Sequence, residues 1–153
     1  MKYDGAHKSA RDWLAMRLSA ALIAILGTLL GAMALPALAE DTLRGKANIV
    51  DGDTIDIAGI PIRLQGIDAP EQLQKCTGDR GQVACGKLAT RALSGMIGSA
   101  PVTCVLLGKD NYGRLLGECS SEGQSLNARM VRDGWALAFL KYSERYIAEE
   151  KEA

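Results

Sequence analysis

The sequence predicts a mainly β domain, a five-stranded OB barrel with two to three α-helices. Three short segments rich in Ile and Val, at 47–50, 54–57 and 61–67, are separated by Asp-Gly-Asp and Ala-Gly turns. Such a pattern is typical of consecutive antiparallel strands. A helical segment and a hairpin follow, so the elements come in the order of this small Greek-key fold.

The first helix is predicted at 86–97, where apolar residues recur at helical spacing. Gly98 supplies a cap at its C-terminal end, because glycine readily adopts the left-handed conformation that ends many helices. Segments 101–107 and 114–119 indicate the two strands of a hairpin around a glycine-containing turn. These two strands complete the five that the barrel requires.

Two shorter helices are predicted after the hairpin. One covers 126–133 and ends at Gly134. The other begins at Glu144, with Ser143 as its N-cap. Because the sequence stops at Ala153, we expect this last helix to be truncated after roughly one to two turns.

The first 39 residues are expected to be an export signal that precedes the folded domain, 40–153. Four basic residues precede an uncharged run, 18–39. This run ends in Ala-Leu-Ala, an A-x-A cleavage pattern. The alternative is an uncleaved membrane anchor, since about 20 apolar residues can span a bilayer. Both interpretations place the domain outside the cytoplasm, periplasmic or secreted, with membrane attachment only if the leader is retained.

All four cysteines lie after the leader, and an even number in an oxidising compartment predicts two disulfides. Three connectivities are possible. Spacing favours Cys76 with Cys85 and Cys104 with Cys119, because the second pair lies symmetrically about the predicted hairpin turn. A zinc site is disfavoured, since there is no C-x-x-C pair and no histidine after His7.

The charge of the exported part limits how it could bind nucleic acid. From Glu40 onward there are 14 basic and 16 acidic residues, a net charge of −2. Tight non-specific binding draws on clustered positive charge, so a nucleic-acid ligand would have to be held by a local site and a bound cation. The charge balance therefore weighs against a stoichiometric DNA-binding protein.

Charged residues that could carry chemistry are concentrated in one stretch. Five acidic residues and one arginine lie within 51–71, in otherwise almost apolar sequence, and a second lone arginine follows later. This is the composition of a site for metal-assisted phosphodiester hydrolysis. Such a site needs carboxylates to bind a hard cation, another carboxylate to accept a proton from water, and arginines to bind a phosphate. The candidates for these roles are, in that order, Asp53 with Asp68, Glu71, and Arg63 with Arg114.

Each candidate alone also has a purely structural explanation. Asp-Gly-Asp at 51–53 is most often a tight turn, and Glu71 could be a solvated residue after a proline. Arg63 could lie on the exposed face of a strand, and Arg114 could be a surface charge beside a hairpin turn. The functional interpretation therefore depends on the set, not on any one member.

Three segments of the sequence resemble the signature segments of the staphylococcal nuclease (thermonuclease) family. They are Val-Asp-Gly-Asp-Thr-Ile at 50–55, Arg-Leu-Gln-Gly-Ile-Asp-Ala-Pro-Glu at 63–71 and Asp-Asn-Tyr-Gly-Arg at 110–114. The resemblance runs from about residue 47 to residue 146. It implies an OB barrel with added helices, and calcium-dependent hydrolysis of DNA or RNA that leaves 3′ phosphates and 5′ hydroxyls.

The resemblance also implies a set of calcium ligands. Asp53 and Asp68 match the family's two carboxylate ligands, and the backbone carbonyl of Ala69 matches a third oxygen ligand. The family usually has threonine at the position of Ala69. Because the ligand there is a carbonyl, alanine keeps the metal bond and removes only a hydroxyl.

Catalytic and nucleotide-binding roles follow from the same resemblance. Glu71 matches the residue that positions or deprotonates the attacking water, and Arg63 and Arg114 match the pair that clamps the scissile phosphate. Planar guanidinium groups suit that task better than lysine does. Tyr112 and Tyr142 match positions that contact the nucleotide.

The alternative function is a non-catalytic OB module that binds single-stranded nucleic acid. Such modules depend on aromatic platforms. The exported part has only five aromatic residues, none on the first three predicted strands, and Leu140 stands where the family often has a tyrosine. Every charged catalytic position is filled, which favours an enzyme. The sequence implies no stable protein partner.

Overall fold

The computed structural model describes residues 40–79, 81–141 and 143–153. The predicted export signal at 1–39, with its alternative as a membrane anchor, lies outside the described residues, and so does Tyr142. Within the described ranges, no helix combines the length and the apolar character needed to cross a membrane.

The described residues form a mainly β structure with three helices, which confirms the predicted fold class. The strands are β1 Thr42–Gly45, β2 Ala47–Ile49, β3 Thr54–Ile57, β4 Ile60–Leu64, β5 Ile67–Asp68, β6 Cys76–Gly78, β7 Gly81–Val83, β8 Val102–Lys109, β9 Leu115–Ser121, β10 Gln124–Ser125 and β11 Leu137–Ala138. The helices are α1 Cys85–Ile97, α2 Leu126–Arg132 and α3 Ile147–Glu152.

Most strands belong to one mixed sheet in the order β1-β8-β9-β4-β3-β2, with β10 added to β9. Its pairings are antiparallel except that of β4 with β9, which is parallel. The two outer strands, β1 and β2, are separated in the chain by Lys46 alone, so one bent segment supplies both ends of the sheet. Gly45 lies at this bend, where a Cβ would come 2.8 Å from Ile57 Cγ2.

The prediction of a single third strand at 61–67 is wrong. The chain turns at Gln65 and Gly66, where Gly66 has a φ of 78°, and this turn separates β4 from β5. The buried Asn127 holds the turn, because its Nδ2 donates to the carbonyl oxygens of Gln65 (2.9 Å) and Gly117 (3.2 Å). After the turn, β5 leaves the main sheet and pairs with β11.

The first two helices lie where they are predicted, within a residue at each end. Gly98 ends α1 with a φ of 57°, and its N–H donates to the carbonyl oxygen of Ser94 (2.9 Å). At the start of α2, the Ser125 hydroxyl accepts a hydrogen bond from the N–H of Ala128 (3.2 Å), a side-chain N-cap.

The last helix begins later than the sequence predicts. The predicted start is Glu144 with Ser143 as cap, but α3 begins at Ile147. The Ser143 hydroxyl instead accepts a hydrogen bond from the N–H of Arg145 (3.2 Å), two residues further on, which makes a local turn. The prediction of Ser143 as N-cap is therefore wrong. Tyr146, which is 4% exposed, packs against the core before the helix begins.

A single hydrophobic core lies within residues 40–153, which form one compact unit. Its strand residues include Ile62 and Leu64, which flank Arg63 in β4 and are both fully buried. Because successive side chains of a strand point to opposite faces, Arg63 projects away from this core. The core therefore fixes the backbone that presents Arg63.

Both predicted disulfides are present. Cys76 and Cys85 have Cα atoms 5.7 Å apart, and their bond joins β6 to the first residue of α1. Cys104 and Cys119 face each other directly across the β8–β9 hairpin, and both are buried in the core.

We predict that the folded domain depends on these disulfides. A bond that closes a loop of roughly 15 residues contributes about 3 kcal/mol, because it restricts the unfolded chain. Thermal melts of residues 40–153 should therefore shift to lower temperature when a reductant is added. Paired serine or alanine replacements, Cys76→Ser with Cys85→Ser and Cys104→Ala with Cys119→Ala, should each lower the melting temperature without reductant. Identical melts of the unmodified protein with and without reductant would contradict this prediction.

Candidate active site

The Arg63 guanidinium lies between two carboxylates that come from different parts of the fold. Its Nη1 donates to Asp53 Oδ1 (3.0 Å), and its Nη2 lies 2.9 Å from Asp53 Oδ2 and 2.8 Å from Asp68 Oδ1. The turn before β3 supplies Asp53, and β5 supplies Asp68. Two carboxylates 15 residues apart in sequence therefore face the same nitrogen atom.

The turn that carries Asp53 is fixed by close packing. The N–H of Asp53 donates to Asp51 Oδ1 (3.0 Å), which closes a local turn around Gly52. A Cβ on Gly52 would lie 2.7 Å from the Cβ of Ala69 and 2.8 Å from the Cβ of Ala89. Only glycine fits there, because the turn is held between the end of β5 and helix α1.

Asp53 is 3% exposed, and its surroundings change its acidity. Burial raises the pKa of Asp53 to about 6, although the positive charge of Arg63 and a hydrogen bond from the N–H of Ala69 (3.2 Å) both lower it. The charge of Asp51 adds to the increase, and the hydroxyl of Thr54 (3.0 Å) opposes it. A buried carboxylate of this kind favours a cation beside it.

The second arginine, Arg114, is held by a different carboxylate. Asp110 Oδ2 accepts from Arg114 Nε (2.7 Å), while Asp110 Oδ1 accepts from the backbone N–H groups of Tyr112 and Arg114 (both 2.9 Å). The Arg114 guanidinium also lies over the ring of Tyr112, 5.6 Å from its centroid. The contact with Asp110 uses Nε, so the two terminal amino groups of the guanidinium are not committed to it.

Electrostatics connect the two arginine clusters. The hydrogen bond to Asp110 raises the pKa of Arg114, and the negative charges of Asp53 and Asp51 raise it further. Desolvation opposes the change at Asp110, but its hydrogen bonds with Arg114 leave the pKa of Asp110 below its usual value. Arg114 therefore remains positively charged, and it interacts electrostatically with carboxylates near Arg63.

Both arginines line one cleft of about 390 Å³. The side of the cleft near Arg63 includes Asp68, and the side near Arg114 includes Asp110 and Tyr112, whose ring is largely exposed. The remaining residues of the lining are Leu64, Gln65, Gly66, Ile67, Lys109, Asn111, Leu116 and Phe139. The cleft thus presents three cationic side chains against two anionic ones.

Glu71 is exposed, lies three residues after Asp68 in the chain, and is not part of the cleft lining. Its backbone is fixed by Gln74, whose N–H donates to the Glu71 carbonyl oxygen (2.7 Å) and whose Oε1 accepts from the Glu71 N–H (3.1 Å). Gly86, in the first turn of α1, packs against the same carbonyl. A Cβ on Gly86 would lie 1.7 Å from the Glu71 oxygen.

The donor set fits a hard cation. Among the residues that the structure describes, no three His, Cys, Asp or Glu side chains converge on one point. The carboxylates of Asp53 and Asp68 do converge, on the guanidinium nitrogen of Arg63, and Ala69 is adjacent. Calcium accepts carboxylate and backbone carbonyl oxygens and completes its shell with water, so these three residues could hold it.

A comparison with known protein families identifies the family of this chain. The family model described as staphylococcal nuclease homologue matches residues 61–153. This chain belongs to the staphylococcal nuclease homologue family. The matched region contains Arg63, Asp68, Glu71 and Arg114, while Asp53 lies just before it.

Several curated proteins are similar to this member of the staphylococcal nuclease homologue family. Succinoglycan biosynthesis protein ExoI of Rhizobium meliloti is 36% identical over 126 residues, which cover 79% of this chain and 66% of that protein. An uncharacterized endonuclease of Escherichia coli O157:H7 is 31% identical over 113 residues, 71% of this chain and 68% of that protein. Endonuclease YhcR of Bacillus subtilis is 34% identical over 116 residues, 68% of this chain but 10% of that protein.

Sequence reasoning did not identify two residues that shape this site. Asp110 lies within the Asp-Asn-Tyr-Gly-Arg segment, and an aspartate at the start of a turn is a known signal for hydrogen bonds to backbone N–H groups two to four residues on. Gly86 is the second residue of helix α1, and glycine is a poor helix former, which is a signal that a packing contact requires it.

We predict that Gly86→Ala destabilises the domain and displaces the Glu71 segment, because the new methyl group would collide with the Glu71 carbonyl. The expected loss in the free energy of unfolding is about 1 to 3 kcal/mol or more, measured by urea titration. Gly95→Ala is the matched control, since it lies in the same helix and a Cβ at Gly95 would meet no heavy atom within 4 Å. That variant should be neutral or gain up to about 1 kcal/mol. Equal stabilities of the two variants would contradict the prediction.

Proposed function

We propose that this chain is a calcium-dependent nuclease, a phosphodiesterase that hydrolyses DNA or RNA to products with 3′ phosphates and 5′ hydroxyls. The observation that carries the proposal is the cleft in which Arg63 and Arg114 lie together with Asp68, while Arg63 also contacts the buried Asp53. Two of the similar proteins are named endonucleases, which supports the general class of reaction.

The charge distribution of the cleft suits a phosphodiester. The exported part has a net charge of −2, so its whole surface gives no general attraction for a polyanion. Arg63, Lys109 and Arg114 concentrate positive charge in the cleft, where a phosphate group would enter. Binding would then depend on this local site. Because the rest of the surface does not attract a polyanion, the product could dissociate after cleavage.

Arg63 and Arg114 would bind the phosphate through their planar N–H groups. Charge on the equatorial oxygens increases as water attacks phosphorus, and donors already aimed at those oxygens stabilise the transition state. Asp110 holds Arg114 by Nε (2.7 Å) and so fixes the direction of its terminal amino groups. Asp53 and Asp68 contact the terminal amino groups of Arg63 themselves, so these groups would turn to the phosphate when the two carboxylates hold calcium.

Asp53, Asp68 and the carbonyl of Ala69 would hold the calcium ion. When bound, calcium would neutralise negative charge on the phosphate and so make phosphorus easier to attack. In the structure the Arg63 guanidinium supplies the positive charge beside Asp53 and Asp68. The guanidinium contacts the same carboxylate oxygens that would hold calcium, so Arg63 would give up these contacts when the ion binds.

Glu71 would orient the attacking water and accept its proton. The water oxygen forms a bond to phosphorus, the bond from phosphorus to the 5′ oxygen breaks, and that oxygen takes up a proton from solvent. Glu71 is exposed, as a group that exchanges protons with water must be. Its backbone is held by Gln74 and by the close contact with Gly86, which fixes the point from which the Glu71 side chain extends.

We also propose that the protein acts outside the cytoplasm, in the periplasm or secreted. The two disulfides support this, since such bonds persist in oxidising compartments and are rare in the cytosol. Tyr112 is the proposed nucleotide contact in the cleft, and Tyr142 remains a candidate for the same role.

The proposal predicts calcium-dependent cleavage by purified residues 40–153. DNA or RNA should be degraded at millimolar calcium and left intact with a chelator. Glu71→Gln and Arg63→Ala should each lower the rate about 100-fold or more, because each removes a group that acts in the transition state.

Matched controls are Glu144→Gln and Arg44→Ala, which make the same chemical changes at exposed positions outside the cleft. Both should retain the rate of the unmodified protein. If no substrate is degraded at millimolar calcium although nucleic acid binds, the proposed hydrolase is wrong and a binding module takes its place.

A further inference from the structure

A second hollow, of about 210 Å³, adjoins the cleft and shares Asp68 with it. One wall comes from Ala69 and Pro70, just after β5, and the opposite wall comes from Trp135 and Leu137, just before and within β11. The hollow therefore begins at a carboxylate that belongs to the proposed metal site. Pro70, Trp135 and Leu137, which form its walls, have no role in the proposed chemistry.

The walls of this hollow are fixed by the fold. Strands β5 and β11 pair with Leu137 opposite Asp68, so the two walls keep a constant spacing. The backbone N–H groups of Trp135 and Ala136 both donate to the carbonyl oxygen of Met130 (2.9 and 3.0 Å), which attaches the second wall to α2. The hollow is thus preformed and does not need a ligand to shape it.

The composition of the walls suits a flat aromatic ligand. Trp135 and Pro70 offer apolar surfaces, and Leu137 is 65% exposed although it is a large hydrophobic residue. The side-chain amide of Gln74 also lines the hollow, with its Oε1 already accepting from Glu71. A ring with apolar faces and a polar edge fits such a surface, and a nucleobase has this character.

The chemistry of the substrate explains why a base would lie here. A phosphodiester within a strand carries a nucleoside on each side of its phosphorus. With the phosphate between Arg63 and Arg114 and one nucleoside in the cleft near Tyr112, the strand would continue past Asp68 on the other side. The hollow is the space that opens on that side.

We propose that the hollow is a second nucleotide subsite, in which the base on the far side of the scissile phosphate stacks on Trp135. This inference rests on the proposed nuclease function, because it assumes that the cleft holds a phosphodiester. It identifies the substrate class more closely, as a strand that continues on both sides of the cut. Trp135 becomes a residue that determines specificity without taking part in the chemistry.

A binding experiment tests the subsite without requiring hydrolysis. Trp135 is the only tryptophan between Glu40 and Ala153, so the intrinsic fluorescence of residues 40–153 reports on it alone. Single-stranded DNA of five nucleotides, added with calcium to the Glu71→Gln variant, should quench this fluorescence to saturation. Inorganic phosphate with calcium should not. Unchanged fluorescence when an independent measurement shows the DNA bound would overturn the proposal, and so would failure of the DNA to bind at all.

A kinetic experiment separates stacking from a merely structural effect. The substrate is a short DNA in which one base at a time, next to the cut, is replaced by an abasic residue. In the unmodified chain, loss of the base on one side should lower kcat/KM about tenfold or more. Trp135→Leu should already cleave the intact substrate slowly, and removal of that base should lower its kcat/KM little further. Trp135→Phe should restore most of the dependence.

An equal abasic penalty in Trp135→Leu and in the unmodified chain would overturn the subsite. Trp135 also packs against the core, so Trp135→Leu could lower stability. Trp135→Phe and the fluorescence titration do not depend on that variant. Quenching of Trp135 without hydrolysis would contradict the nuclease proposal alone, whereas hydrolysis without quenching or an abasic penalty at Trp135 would contradict the subsite alone.

Discussion

The ion pairs of Arg63 with Asp53 and Asp68 are the contacts on which the rest of the site depends. Asp53 is almost fully buried, and a buried carboxylate needs a cation or hydrogen bonds to remain charged. The Arg63 guanidinium supplies the cation and the Ala69 N–H supplies a hydrogen bond. These contacts join β4, the turn before β3 and β5, so one side chain sets the positions of both proposed carboxylate ligands of calcium and one wall of the cleft.

The fold brings these groups together through two close contacts with helix α1. Gly52 lets the Asp53 turn lie against Ala89, and Gly86 lets the Glu71 carbonyl approach the first turn of the helix. Helix α1 thus positions two segments. One carries Asp53 of the proposed cation site, and the other carries Glu71, the proposed base. Its own position is fixed by Leu93, which is fully buried in the core.

The sequence predicts the local elements well and the long-range ones poorly. The β3 strand, α1 and both cysteine pairs follow from alternation, helical spacing and symmetry about a turn, all of which are local. The division of segment 61–67 depends on a hydrogen bond from Asn127, 62 residues away, which no local pattern records. Strands β1, β6 and β7 are mostly polar or exposed, so no buried face marks them in the sequence. The candidate site residues are predicted from the sequence as a set, whereas Asp110 and Gly86 act through neighbours that only the fold supplies.

Calorimetric titration of calcium into residues 40–153, with the variants Asp53→Asn and Asp68→Asn, tests the central claim that these two carboxylates form one cation site. We expect each substitution to weaken calcium binding about tenfold or more, because each removes a charged oxygen ligand. Asp56→Asn removes the same charge in β3, where Asp56 Oδ1 accepts a hydrogen bond from the Gly59 N–H, and should leave binding unchanged. Equal calcium affinities of the three variants would contradict the account. So would the absence of calcium binding to the unmodified chain in the presence of a nucleotide.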